Sequence, residues 1–229
     1  MNCQGASVIE TFLSYLKTRR LQFKWRGGRW LNQKNPDGIV IALEGIDGAG
    51  KSTLIKRLLE DPFLLNQVSV YSRTQKGKYM NSFLSSRFMQ KNYMLQIPFY
   101  LLLSYKNYIT FKKQKKKSIT VMDRCFLSNL CYYFPRALDN LILLKILTLL
   151  EIKMMPDMIF ILDVTAEIGQ IRDGMQKELD WLKETRWAYL HVPDSKLGHK
   201  VNTYILKEDM SVEYKKNIIL QYIKEKRRI

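Results

Sequence analysis

Between residues 45 and 52 the chain reads Gly-Ile-Asp-Gly-Ala-Gly-Lys-Ser, and these eight residues leave the backbone few choices. Gly45, Gly48 and Gly50 permit tight turns that aim successive N–H groups at one point, a geometry that binds phosphate oxygens. The loop follows Ile39-Val40-Ile41-Ala42-Leu43, a continuous apolar run such as a strand buried on both faces shows. It leads into a helical pattern from Lys51 to about Glu60, whose N-terminus adds the positive end of a helix dipole. The pattern G-x-x-x-x-G-K-[ST], set between strand and helix, is a P-loop. Its nucleotide-binding set is Gly45, Ile46, Asp47, Gly48, Ala49, Gly50, Lys51, Ser52 and Thr53. Lys51 is expected at the β- and γ-phosphates of ATP, and the Ser52 hydroxyl on Mg²⁺.

From Gly38 onward, strand and helix patterns alternate. Further strands are expected at Val68 to Tyr71, Ser118 to Met122, Met158 to Leu162 and Val201 to Leu206. Helices are expected from about Met80 to Lys113 with a break near Pro98, after Asp123-Arg124 to about Lys153, over 166–190 and over 211–226. This alternation predicts an α/β fold: a five-stranded parallel sheet with helices on both faces, the three-layer sandwich of P-loop NTPases. The domain is predicted to span residues 38–229.

Ligands collect at the carboxyl ends of strands in such sheets. Asp123-Arg124 ends the third strand. A carboxylate there can hold magnesium, and the arginine can clamp a phosphate. Asp163 ends the fourth strand and suits either a metal-bound water or a cap for the next helix.

The net charge is +17, which fits attraction to a polyanion or ordinary lysine-rich solvated faces. Residues 1–37 form a basic, amphipathic extension. Val8, Ile9, Phe12, Leu13 and Leu16 fall at helical spacing, and a basic aromatic stretch from Gln22 to Trp30 follows. This arm suits an anionic membrane surface, a nucleic acid, or simple packing on the domain. A second basic run covers Lys112 to Lys117. No stretch of about 18 apolar residues is present, so no spanning helix is predicted. Cys3, Cys125 and Cys131 form neither a metal pattern nor a disulfide framework, and free thiols point to the cytoplasm.

Leu43 to Thr53, Asp123-Arg124 followed by Ser128 and Tyr132, and Pro156-Asp157 through Asp163-Val164, Glu167 and Arg172 stand in this order and spacing. Together they resemble the thymidylate kinase family of nucleoside monophosphate kinases, over about residues 38–225. The resemblance implies transfer of the γ-phosphoryl group of ATP, with Mg²⁺, to a deoxynucleoside monophosphate, usually dTMP. It implies that Asp47 meets the acceptor sugar or phosphate, Arg124 its phosphate, and Tyr132 its sugar and base. Arg73 corresponds to an acceptor-side arginine and Phe99 to an aromatic residue that stacks on thymine. The catalytic set is Lys51, Asp123, Arg124 and Arg172, with Ser52 and Asp123 as the metal ligands. Because Gly48 stands where some members have arginine, the lid residue Arg172 is expected to stabilise the developing charge, with Lys177 nearby. A homodimer through Leu141 to Leu150 is also implied.

The sequence departs from the family on the acceptor side. Thr74-Gln75-Lys76-Gly77 follows Arg73 where the family has Glu-Pro-Gly-Gly. Leu103-Ser104 stands where a base-reading arginine is placed, and the segment from Arg172 to Tyr189 is shorter by roughly two helical turns. A site lacking such an arginine discriminates its base by other contacts. A different phosphorylated small-molecule acceptor, or an ATP-binding module that anchors without catalysis, therefore stands beside the kinase of a nucleoside monophosphate.

Overall fold

The computed structural model describes residues 38–72, 96–114, 118–133, 154–198 and 201–227. The arm of residues 1–37, Arg73, most of the Lys112 to Lys117 run and the apolar stretch Leu138 to Leu150 lie wholly or largely outside the described residues. Five strands, β1 (Ile39–Glu44), β2 (Val68–Ser72), β3 (Ile119–Asp123), β4 (Met158–Leu162) and β5 (Thr203–Leu206), form one sheet in the order β2-β3-β1-β4-β5. Every pairing is parallel, as the alternation predicts. β1 lies at the centre and is buried at five consecutive positions, Val40 to Glu44. Only cover on both faces produces that pattern, which explains the unbroken apolar run.

The helices are α1 (Lys51–Leu59), α2 (Gln96–Gln114), α3 (Phe126–Tyr133), α4 (Ala166–Arg172), α5 (Leu179–His191) and α6 (Val212–Arg227). α1 packs on α6, while α5 packs on both α3 and α4. Pro98 does not break α2. It stands in the first turn, where its missing N–H deprives the helix of nothing. The helical pattern over 166–190 is two helices, not one. Gly174 and Met175 both adopt positive φ, 69° and 58°, and turn the chain between α4 and α5. Cys125 and Cys131 are buried, in no disulfide with each other, and burial raises the Cys131 thiol pKa. Among the described residues no helix is long and apolar enough to cross a membrane.

Asp157 ties β4 to the sheet from below. Its Oδ2 accepts Val40 N at 2.7 Å, its N donates to Val40 O at 2.6 Å, and Asn202 Nδ2 donates to its carbonyl at 3.1 Å. The Pro156-Asp157 pair is thus a structural staple at the end of the sheet far from the P-loop.

Candidate active site

The parallel sheet brings Glu44, Asp123 and Asp163 to one edge, because each lies at or just beyond the carboxyl end of its strand. β1 and β3 are neighbours there, with Leu43 in register with Asp123. The crevice outside them is the topological switch point where ligands bind in such sheets.

The P-loop leaves β1 through Gly45, with φ of 135°, and enters α1 through Gly50, with φ of 89°. A side chain at Gly45 would sit 2.5 Å from Leu162 O. A Cβ at Gly48 would sit 2.1 Å from Gly169 O on α4, and one at Gly169 would sit 2.9 Å from Asp47 O. The loop therefore touches α4 backbone to backbone, which only glycine at both positions allows. Lys51 opens α1 and is buried. Its Nζ donates to Gly45 O at 3.0 Å and Ile46 O at 2.7 Å. Burial, then the nearby Arg124 charge, pulls its pKa down to about 7. Ser52 and Thr53 follow on the exposed side of α1.

Arg124 holds the left-handed conformation, with φ of 68°, an uncommon state for a non-glycine residue. Its Nη2 pairs with Asp47 Oδ1, and its Nη1 donates to Gly45 O at 3.0 Å and Ser128 Oγ at 3.2 Å. The guanidinium lies 5.3 Å from the Tyr132 ring centre. Tyr132 packs edge-on against Trp181 and Tyr189. The structure therefore gathers Asp47, Lys51, Arg124 and Tyr132 at one crevice.

Beneath them lies a residue that sequence reasoning missed. Glu44 is fully buried and accepts four hydrogen bonds. Oε1 accepts Cys125 N at 2.7 Å and Ser128 N at 3.2 Å; Oε2 accepts Ser128 Oγ at 2.6 Å and Tyr189 OH at 2.9 Å. The carboxylate thus caps α3 from across the sheet and fixes the turn that carries Arg124. Asp173, just past α4, faces the same cluster. Burial and the Asp47 charge raise its pKa, against Lys177, Lys51 and Arg124.

Asp163 does not cap α4. It accepts Arg186 Nε at 2.7 Å and Arg186 Nη2 at 3.2 Å, so an arginine of α5 holds it. The N-cap is Thr165, whose side chain makes no capping bond, and Glu208 instead accepts Thr165 N at 2.8 Å. Arg172 ends α4 and lines a cavity of about 340 Å³ on the other flank of the P-loop. Thr53, Leu54, Glu208, Met210 and Lys215 also line it. Lys215 is buried there, and burial followed by the Arg172 charge lowers its pKa. Lys177 stands 5.1 Å from the Trp181 ring centre. Phe99 falls within α2 with its side chain outside the described residues, as Arg73 is altogether.

Asp123 is half-buried at the end of β3, and Ser52 is exposed in the first turn of α1. A carboxylate and a hydroxyl are the hard oxygen donors that Mg²⁺ prefers. Among the described residues no group of three or more His, Cys, Asp or Glu could hold a metal unaided. That sparse set fits an ion which keeps most of its ligands as water and phosphate.

Comparison with known proteins places this geometry. The family model described as thymidylate kinase matches residues 43–202. The thymidylate kinase of Chlorobium phaeobacteroides is 29% identical over 151 residues, 62% of this chain and 68% of that protein. That of Buchnera aphidicola subsp. Baizongia pistaciae is 30% identical over 174 residues, 70% of this chain and 81% of that one. The crystal structure of thymidylate kinase from Ehrlichia chaffeensis superposes with a TM-score of 0.56 at 18% identity, covering 82% of this chain and 100% of that one, a likeness of fold. The P-loop, the Asp123-Arg124 corner and the Asp163 to Arg172 segment all fall inside the matched span, and the chain belongs to the thymidylate kinase family.

Proposed function

We propose that this protein is an ATP-dependent nucleoside monophosphate kinase with a dTMP-like acceptor. One observation carries the reading: Lys51 of the P-loop and the Arg124–Asp47 pair meet at the same crevice. A donor site and an anion clamp side by side are what phosphoryl transfer between two phosphates requires.

The P-loop N–H groups and the N-terminus of α1 hold the triphosphate. Lys51 exchanges its bonds to the Gly45 and Ile46 carbonyls for phosphate oxygens. Arg124 presents its guanidinium to the acceptor phosphate, and Asp47 aligns that guanidinium from the loop. An oxygen of the acceptor phosphate bonds to the γ-phosphorus as the bond to the β-phosphate oxygen breaks, and ADP leaves. Ser52 and Asp123 would hold Mg²⁺, which supplies charge neutralisation at the β- and γ-phosphates when bound. The cavity lined by Thr53, Leu54, Arg172 and Lys215 takes the rest of the donor nucleotide. Arg172 reaches the transferred group from that side. Tyr132, with Trp181 beside it, lines the acceptor side, to which the family resemblance also assigns Arg73 and Phe99.

The test is transfer from γ-labelled ATP, with Mg²⁺, to a panel of nucleoside monophosphates. The expected result is labelled dTDP above all other products. Lys51→Ala should lower kcat by about a hundredfold or more. Binding of ATP with transfer to no acceptor would sink the reading.

A further inference from the structure

The phosphate site occupies one end of the sheet, and the last turn of α6 carries Lys224, Lys226 and Arg227 at the other. Ser118, the residue before β3, is the junction there. Ile39 N donates to Ser118 O at 2.8 Å, and a Cβ at Gly38 would sit 2.2 Å from that same oxygen. Arg227, in the last turn of α6, donates from Nη2 to Ser118 Oγ at 2.9 Å. Lys224 and Lys226 stand with Arg227 in the last turn of α6.

The same end carries exposed aliphatic side chains. The turn between α1 and β2 presents Leu65 at 60% exposure, and Leu59 at the end of α1 is 42% exposed. Phe63 in that turn is flanked by Lys224 Nζ, 5.1 Å from its ring centre, and by Arg227 at 5.5 Å. The nearby carboxylates are already engaged. Glu60 pairs with Arg57 at 3.2 Å, Asp61 with Lys216 at 3.6 Å, and Glu225 accepts Gln221 Nε2 at 2.9 Å.

We propose that this end of the sheet docks on an anionic bilayer surface. Leu65 and Leu59 enter the headgroup boundary, while Lys224, Lys226 and Arg227 face the lipid charges. Cations beside a turn that exposes leucine give the two-part signal that peripheral docking needs, since neither part alone gives stable attachment. Charge complementarity alone would suit a nucleic acid equally. The leucines decide between them. A nucleic acid is held chiefly through phosphate contacts, aromatic faces and hydrogen-bond donors, and exposed aliphatic tips add more to a bilayer boundary than to it. Among the described residues, Phe63 at this end is flanked by two cations rather than open for a base. Docking in this way points the P-loop away from the bilayer and leaves both substrate sites open.

Flotation of the full chain with vesicles tests the proposal. Vesicles of phosphatidylcholine with about a third phosphatidylserine should carry the protein, and pure phosphatidylcholine vesicles should not. Reversing three charges together, Lys224→Glu, Lys226→Glu and Arg227→Glu, should weaken partition by about a hundredfold. Leu65→Ser should weaken it severalfold at unchanged charge. Raising salt from 50 to 500 mM should release the protein. Circular dichroism and the melting temperature confirm that each variant is folded. Equal binding to neutral vesicles, full binding by the charge-reversed chain, or parental partition by Leu65→Ser would overturn the proposal. So would tight binding to a single-stranded oligonucleotide with none to the anionic vesicles.

Discussion

Lys51 shows how one residue couples the loop to protons. Its ammonium is buried against the carbonyls of Gly45 and Ile46, and burial pulls its pKa to about 7. A triphosphate placed beside Nζ adds negative charge and raises that value. Between pH 7 and the higher pKa of the complex, binding must therefore take up a proton, and affinity falls as pH rises, by at most tenfold per unit. Calorimetry of ATP binding at pH 8, in two buffers of different ionisation enthalpy, should show uptake approaching one proton, and Lys51→Met should abolish it. At this scale the sequence announces Lys51, Asp47 and Arg124, because a motif fixes their spacing. It does not announce Glu44, Arg186, Asp173 or Lys215. Each acquires its role from a partner far along the chain: Glu44 from Ser128 and Tyr189, Arg186 from Asp163. The available hint for Glu44 was a single carboxylate closing an otherwise apolar strand directly before the P-loop glycine.

The helices repeat that contrast. The strands and α1 are legible because apolar runs and the P-loop delimit them. The division of 166–190 is not, because Ile171, Met175 and Leu179 stand four residues apart and imitate one continuous helical stripe. Ile171 and Met175 are in fact 66% and 71% exposed, and the stripe is broken at Gly174. The short helix α3 depends on Glu44 at its start, so the element and the site share one carboxylate. Glu44→Gln keeps the shape and removes the charge from four hydrogen bonds. The expected cost is about 2 kcal/mol in a denaturant melt. Because that change loosens the Arg124 corner and leaves the P-loop intact, the acceptor KM should rise while the ATP KM stays near the parental value. Steady-state kinetics with each substrate varied in turn distinguishes this from a general loss of fold, which would move both.

Across the whole molecule, the cavity proposed for the donor joins parts remote in sequence: α1, the end of α4 and the start of α6. A nucleotide held there stabilises all three together. At a hundredfold excess over Kd the linkage is worth about 2.7 kcal/mol. For a domain of this size that corresponds to a rise of about 5–10 °C in Tm. Differential scanning fluorimetry with ATP and Mg²⁺ should show it, and Lys51→Ala should shrink it.

The seam between Gly48 and Gly169 sets how such a molecule moves. Most contacts between a loop and a helix run through side chains, which swing and leave slack. Here main chain rests on main chain, with no room for even one carbon between them. Any adjustment of the P-loop to its phosphates is therefore transmitted to α4 without play, and so to Arg172 at its far end. The catalytic arginine proposed here is geared to the loop that grips the donor.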